Sequence, residues 1–197
     1  MNKANRVSVI RAIMSFIIMF ILVFPFYDLG IKFPTYLYNG NILIDLKYII
    51  VGILFLVASV TDFLNGYIAK KNNNVTDYGK MLDSIANRIL INPALIVLAC
   101  SGMISPIIAV AIITRDIIVD ALKTYIVNKN QVVPSMPIAR FKTVTLMIGI
   151  ILTLFYNMPF EIVKLNISDF LLIIAAILAV ISGVKYYMLA KKYFVTK

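Results

Sequence analysis

Long apolar runs separated by short polar stretches dominate the chain. Each run is close to the length, about 20 residues, that an α-helix needs to cross the hydrocarbon core of a bilayer. Because apolar residues are continuous within each run and do not alternate with polar ones, strands are not expected. The pattern predicts an all-α integral membrane protein, a single domain over residues 1–197, with six transmembrane helices at roughly 9–27, 46–69, 82–101, 104–127, 139–157 and 168–191.

Basic residues divide unequally between the two ends of these helices. Six crossings put both termini on one side of the membrane. Of the 19 Lys and Arg, only Lys32, Lys47 and Lys164 fall on the other side, which leaves sixteen on or near the terminal side. Since cytoplasmic segments are enriched in Lys and Arg, we expect both termini to be cytoplasmic and the protein to lie in the cell membrane.

Composition supports this reading and excludes several classes of chemistry. Hydrophobic residues make up 61% of the chain, whereas a soluble domain is nearer half apolar. The net charge of +10 comes from basic residues beside apolar segments, which indicates an anionic lipid bilayer and not nucleic acid as the partner. The chain has no histidine and one cysteine, so histidine catalysis, zinc–histidine sites and an intrachain disulfide are excluded.

The N-terminal sequence MNKANRVSVIRAIMSF places basic residues before an apolar run, as a signal peptide does. No small-x-small cleavage site follows, and the run ends in VFPFYDLG. We therefore expect this segment to be retained as the first helix.

A polar stretch, TDFLNGYIAKKNNNVTDYGKMLDSIANR at residues 61–88, interrupts the apolar pattern. Asp62, Asn65, Gly66 and Ala69 are spaced i, i+3, i+4 and i+7, so they share one face of the second predicted helix. The small residues Gly66 and Ala69 keep that face thin. The spacing predicts a face that another helix or a ligand can approach closely.

The third predicted helix carries a matching face. Gly79, Asp83 and Asn87 follow one another at intervals of four residues. Ionisable residues in membrane helices are costly and usually functional, and carboxylate oxygens on facing helices suit Mg²⁺, Mn²⁺ or Ca²⁺. A pair of such ions would clamp phosphate oxygens. Spacing alone equally allows solvated acids at helix ends, so both readings stay open at this point.

The complete pattern is D-x-x-N-G-x-x-A-K, eight residues, then G-x-x-x-D-x-x-x-N. It resembles the signature of the CDP-alcohol phosphotransferase family, D-x-x-D-G-x-x-A-R, seven or eight residues, then G-x-x-x-D-x-x-x-D. Asn65 and Asn87 replace signature aspartates, and Lys70 replaces the arginine. The residues identical to the signature are Asp62, Gly66, Ala69, Gly79 and Asp83.

Four further segments resemble bacterial members of the glycerophosphate branch of this family. The opening A-N-R-V-S-V-I-R is similar to their P-N-x-x-T-x-x-R, and the others lie in the fourth, fifth and sixth predicted helices. The resemblance therefore extends over nearly the whole chain. The matching residues are Asn5, Ser8 and Arg11; Arg115, Asp116 and Lys123; Arg140, Lys142 and Thr143; and Ser182, Gly183 and Tyr186.

The resemblance implies a transferase that moves a phosphatidyl group from CDP-diacylglycerol to sn-glycerol 3-phosphate and releases CMP at the cytoplasmic face. It also implies a homodimer and two ions, Mg²⁺ or Mn²⁺, at positions 62, 65, 83 and 87, with Asp83 and Asn87 as catalytic positions and Asn87 in the place of the general base. Arg115, Arg140 and Lys142 would bind the acceptor phosphate, although Lys142 also suits simple anchoring and Arg115 could pair with Asp116 or Asp120. The remaining substrate-binding positions would be Asn5, Ser8, Arg11, Gly66, Ala69, Lys70 and Gly79.

The two asparagines change what this site can do. An amide oxygen can bind a metal but brings no charge, so the site has lost two negative charges and should hold metals weakly. Asn87 cannot accept a proton, and Asp77 in the connecting loop does not match the family spacing. One alternative is therefore an impaired family member that acts as a binding or assembly partner. An unrelated transporter or channel is less consistent, because we find no internal repeat and the ionisable residues gather at one end.

Overall fold

The computed structural model describes residues 3–38, 42–71, 77–129, 131, 133–134, 136–158, 160 and 165–194. The chain is mostly helical in these residues, as the apolar runs predict. The six helices are α1 (Lys3–Val23), α2 (Leu46–Lys71), α3 (Asp77–Cys100), α4 (Pro106–Asn128), α5 (Pro137–Leu154) and α6 (Ile167–Phe194).

Five of these helices are long and apolar enough to cross a membrane. The exception among the described helices is α4, which spans 23 residues but carries Arg115, Asp116, Asp120 and Lys123. Its length of about 35 Å, at 1.5 Å per residue, suits a crossing, while its charges must be satisfied inside the bundle. The architecture is that of a multi-pass membrane protein, and a sixth crossing through α4 stays a prediction.

Several helix boundaries differ from those predicted. The first helix ends at Val23 and not at residue 27, because Pro25 disfavours helical backbone in the residue before it. The third helix begins at Asp77, several residues before the predicted 82. Lys70 and Lys71 belong to α2, so the connection between the two signature helices is shorter than predicted, and residues 72–76 lie outside the described part.

A small β-hairpin between α1 and α2 corrects the expectation that the chain has no strands. β1 (Thr35–Tyr38) pairs antiparallel with β2 (Ile42–Asp45), with Tyr36 opposite Ile44. Aromatic and β-branched residues flank Asn39-Gly40 in the sequence, which is a strong hairpin signal. Four-residue strands are too short to appear in a search for membrane-length runs.

The hairpin is attached to the bundle at the end opposite the termini. The backbone N–H of Asp45 donates a hydrogen bond to the Tyr156 hydroxyl at 2.9 Å, and the Tyr27 hydroxyl donates to the Asp45 carboxylate. Burial raises the pKa of Tyr27 above its ordinary value, and the bond to Asp45 adds to the rise. The hydroxyl therefore remains a donor over the physiological pH range.

Two groups of helices share the core. α1 packs against α2 and α3, α6 packs against α4 and α5, and α2–α5 and α3–α4 contacts join the two groups. Phe55, Leu95 and Ile150 lie in this core with no exposed surface. Outward-facing apolar residues such as Phe63 and Ile107, 73% and 80% exposed, would face lipid, which explains why so much apolar surface remains uncovered.

Gly149 allows α5 and α6 to approach closely. A Cβ atom at this position would lie 2.9 Å from Leu172 Cδ2 and 3.0 Å from Leu172 Cγ. Real Cβ atoms do not approach so closely, and both residues are buried. The α5–α6 contact therefore requires a residue without a side chain here.

We expect Gly149→Val to destabilise the bundle by about 1–3 kcal/mol, because three added carbon atoms must be fitted into a filled contact. The measurement is the apparent midpoint of thermal unfolding in detergent, which should fall. Val144→Ile adds one carbon on the exposed side of the same helix, where Val144 is 45% exposed, and should leave the midpoint unchanged. An unchanged midpoint in Gly149→Val would contradict the close packing described here.

Candidate active site

The side chain of Arg11 lies between the two acids of the signature. Its Nη2 donates a hydrogen bond of 2.8 Å to Asp83 Oδ1 on α3 and a longer one of 3.3 Å to the Asp83 main-chain oxygen. Its Nη1 forms an ion pair with Asp62 on α2. Because Arg11 belongs to α1, one guanidinium joins three helices.

Burial makes this contact energetically important. Arg11 is 1% exposed, whereas the side chains of Asp62 and Asp83 are 26% and 38% exposed. A buried charge without a partner costs several kcal/mol, so Arg11 can remain in the bundle only with acids beside it. Asp62 and Asp83 are therefore already engaged by a cation that the chain itself supplies.

Asn87 completes the described part of the cluster. Its Nδ2 lies 3.5 Å from Asp62 Oδ2, a long hydrogen bond, and its Oδ1 is buried with no hydrogen-bond partner within the described residues. Buried polar atoms are nearly always paired, so within the described residues this oxygen is left available to a ligand. The predicted convergence of positions 62, 83 and 87 is present.

The remaining signature positions are described less completely. Asn65, Gly66, Ala69 and Lys70 belong to α2, but their side chains lie outside the described part, as does that of Asn5 in α1. The substrate-binding roles of these five residues stay predictions. Gly79 and Ser8 are buried, and neither is without an interaction.

The donors at this site suit a hard divalent cation. Asp62 and Asp83 each have a second carboxylate oxygen, and Asn87 Oδ1 is unpaired; Mg²⁺ and Mn²⁺ prefer such oxygen ligands. No group of three or more His, Cys, Asp or Glu able to hold a metal occurs in the residues that the structure describes. Two acids and one amide therefore form the described donor set.

A second charged cluster joins α4, α5 and α6. Asp116 accepts a hydrogen bond from Arg115 at 2.7 Å and two from Lys142 at 2.8 and 2.9 Å. Arg115 also donates to the main-chain oxygen of Ala179 at 2.9 Å and to Ser182 Oγ at 2.5 Å. Asp116 thus pairs with two of the cations that the sequence predicts for the acceptor phosphate, and the three side chains together keep one positive charge.

A polar cavity of about 230 Å³ separates the two clusters. It extends from Asn87 at the signature to Arg115 and Lys142 at the second cluster. Arg88 and Lys123 also line it, whereas Arg140 is exposed and is not one of the described lining residues. The cavity therefore brings four basic side chains and Asn87 into one lining.

Arg88 is a cavity residue that the sequence pattern did not predict. It forms an ion pair with Asp120 of α4, and its side chain is 47% exposed. A residue directly after a signature residue lies about 100° round the helix from it. The position of Arg88 next to Asn87 could therefore have marked it as a neighbour of the site. Of the cations at the cavity, Arg88 is less committed to buried partners than Arg115 or Lys142.

An apolar cavity of about 310 Å³ has Asp62 in its lining. Val60 and Phe63 of α2 and Met147 and Ile151 of α5 contribute its wall. Asp62 is the one charged residue within the described lining. Two described signature residues therefore border cavities, Asp62 an apolar one and Asn87 a polar one.

Residues 1–182 match the sequence profile of the CDP-alcohol phosphatidyltransferase family. The chain belongs to this family. Relatives named CDP-diacylglycerol–glycerol-3-phosphate 3-phosphatidyltransferase include a Bacillus subtilis protein, 32% identical over 186 residues, or 94% of this chain and 93% of the relative. Two others, from Rickettsia bellii and Rickettsia felis, are 35% and 36% identical over 144 residues, or 73% of this chain and 80% of each relative.

Membership confirms the resemblance on which the site was predicted. Asp62 of α2 and Asp83 and Asn87 of α3 lie together in the described part of the signature, and the structure adds Arg11 as the common partner of the two acids. The segments of α4, α5 and α6 that resemble the family also contact one another in the structure. Arg115, Asp116, Lys142 and Ser182 are members of one hydrogen-bonded cluster, and a Cβ at Gly183 would lie 3.2 Å from Arg115 Cγ.

We expect Asp116→Asn to lower stability by about 3–5 kcal/mol, because it leaves the buried Lys142 ammonium without a counter-charge. Thermal unfolding in detergent measures the effect. Asp120→Asn is the matched control on the same helix, since its partner Arg88 is half exposed and can be solvated, which limits the loss to about 1 kcal/mol. Equal losses in the two variants would show that the Asp116 cluster does not hold α4–α6 together.

Proposed function

We propose that the chain transfers the phosphatidyl group of CDP-diacylglycerol to sn-glycerol 3-phosphate and releases CMP, at the cytoplasmic surface of the cell membrane. The observation that carries the proposal is that Asp62, which borders the apolar cavity, lies 3.5 Å from Asn87, which borders the polar one. The apolar cavity suits the diacylglycerol part of the donor, and the polar cavity with its basic side chains suits a small phosphorylated acceptor. Asp62 and Asn87 each border one of the two cavities, and Asp83 is joined to Asp62 through Arg11.

The chemistry is a displacement at phosphorus. An acceptor hydroxyl attacks the phosphorus that carries diacylglycerol, the bond from that phosphorus to the bridging oxygen breaks, and CMP leaves with the bridging oxygen. Mg²⁺ or Mn²⁺, held by Asp62 and Asp83 with the amides of Asn65 and Asn87, would neutralise charge on the diphosphate. The hydroxyl proton needs a carboxylate. We assign it to Asp83, which lies one turn before Asn87 on α3.

The topology proposed for the site follows from the positions of these residues in their helices. The described site residues lie in the first halves of α1, α3 and α5 and the second halves of α2 and α6, with Arg115 and Asp116 just before the middle of α4, so the site lies toward one end of an alternating bundle. The basic residues counted above gather at that end, which supports a cytoplasmic orientation. We further propose a homodimer in an anionic bilayer, on the resemblance to the family alone.

The impaired-enzyme alternative is not favoured by the relatives. A relative that matches 94% of this chain carries the name of the transferase, as do those from Rickettsia. The alternative depends on Asn65 and Asn87 alone. Measurement of CMP release distinguishes it from the main proposal.

Purified protein in mixed micelles with CDP-diacylglycerol, glycerol 3-phosphate and Mg²⁺ or Mn²⁺ should release CMP. Asp83→Asn should reduce the rate by about a hundredfold or more, because it removes the proposed proton acceptor. Asp169→Asn, in the first turn of α6 at the opposite end, should leave the rate unchanged. CMP released only by an Asn65→Asp, Asn87→Asp double variant would establish the impaired-enzyme alternative, and no release from either protein would contradict the family activity.

Arg88→Gln should raise the KM for glycerol 3-phosphate by about tenfold or more, because a charge-assisted hydrogen bond to the acceptor phosphate is lost. The KM for CDP-diacylglycerol should change little. Lys185→Gln removes an exposed charge from α6, outside the cavity, and should leave both constants unchanged. A rise confined to the CDP-diacylglycerol KM would assign Arg88 to the donor.

A further inference from the structure

The described signature cluster has an unusual charge balance. Asp62 and Asp83 contribute two negative charges, Arg11 contributes one positive charge, and Asn87 contributes none, so the sum is −1. Asn65 adds no charge to this sum. Because Arg11 is 1% exposed, solvent screens its charge poorly.

We infer that this site is built for one divalent cation, with the Arg11 guanidinium as a second, permanent positive charge. The inference rests on the proposed metal site on α2 and α3. One divalent ion would bring the cluster from −1 to +1, whereas two would bring it to +3. At the short separation of paired metal sites, about 3.5–4 Å, such an excess is strongly unfavourable beside a buried guanidinium whose charge solvent screens poorly.

The contacts of Arg11 determine which oxygens remain for that ion. Arg11 engages Oδ1 of Asp62 and Oδ1 of Asp83. Oδ2 of each acid and the unpaired Oδ1 of Asn87 are then the donors that remain in the described cluster. Three oxygens make a partial shell for one Mg²⁺ or Mn²⁺, which usually keeps several waters or substrate phosphate oxygens.

Arg11 is accordingly a positioning residue for the ion, and it acts through the two acids. It holds Asp62 and Asp83 together, so the chain does not depend on a metal to relieve repulsion between them. Arg11 also occupies one oxygen of each carboxylate, so fewer carboxylate oxygens remain for a second ion. The two asparagines and the buried arginine are thus parts of one charge balance.

The first test counts ions in the purified protein without lipid donor or acceptor. Titration with Mn²⁺, followed by the loss of the free-ion electron paramagnetic resonance signal, should give one bound ion per chain. The Asn65→Asp, Asn87→Asp double variant adds two negative charges and should bind two. Two ions, or none, bound by the unsubstituted chain would overturn the inference.

The second test removes the cation. Arg11→Gln should bind Mn²⁺ about tenfold or more tightly, because the positive charge nearest the ion is lost, and its unfolding midpoint should fall without metal and recover when Mn²⁺ is added. Arg6→Gln removes an exposed charge from the same helix and should match the unsubstituted chain in both respects, while Arg11→Lys should retain one ion per chain. If folded Arg11→Gln binds Mn²⁺ with the same affinity as the unsubstituted chain, the inference is wrong.

These outcomes are separate from the proposed activity. A chain that binds one Mn²⁺ but releases no CMP would keep the inference and lose the proposed function. A chain that releases CMP and binds two Mn²⁺ would do the reverse. If Arg11→Gln fails to fold, the ion count in the double variant still decides the question.

Discussion

The ion pairs of Arg11 with Asp62 and Asp83 are the constraint on which the rest of the site depends. A guanidinium with 1% exposure must be matched by nearby acids, and these two acids belong to different helices. Their pairing therefore sets how α1, α2 and α3 meet, and it sets the distance between the two carboxylates. Asn87, one turn from Asp83, is brought beside Asp62 by the same arrangement.

The Asp116 carboxylate is the centre of a second charged cluster, which connects α4, α5 and α6. Arg115 and Lys142 meet at this carboxylate, and Arg115 continues to the α6 backbone and to Ser182. In the apolar interior such a cluster is stable only when its members satisfy one another. The two clusters face each other across one polar cavity, so the groups that hold the bundle together also line the place where a charged substrate would bind.

Much of the fold was predictable because long apolar runs have few alternatives. The start of α2 at Leu46 and the shared face of Asp62 and Asn65 follow from helical periodicity. The hairpin at Thr35–Asp45 was not predicted, because four-residue strands are far shorter than the apolar runs that mark membrane helices, although the Asn-Gly turn signal is present in the sequence. The early end of α1 could have been predicted from Pro25, because proline disfavours helical backbone in the residue before it.

The sequence by itself determined the signature, its spacing on two helices and the loss of two carboxylates at Asn65 and Asn87, because these properties depend on order and periodicity along the chain. Only the tertiary structure decided which charges meet. Arg11 and Asp83 are 72 positions apart and Lys142 and Asp116 are 26 apart. No local pattern encodes such pairs, since they arise when buried charges on separate helices must neutralise one another.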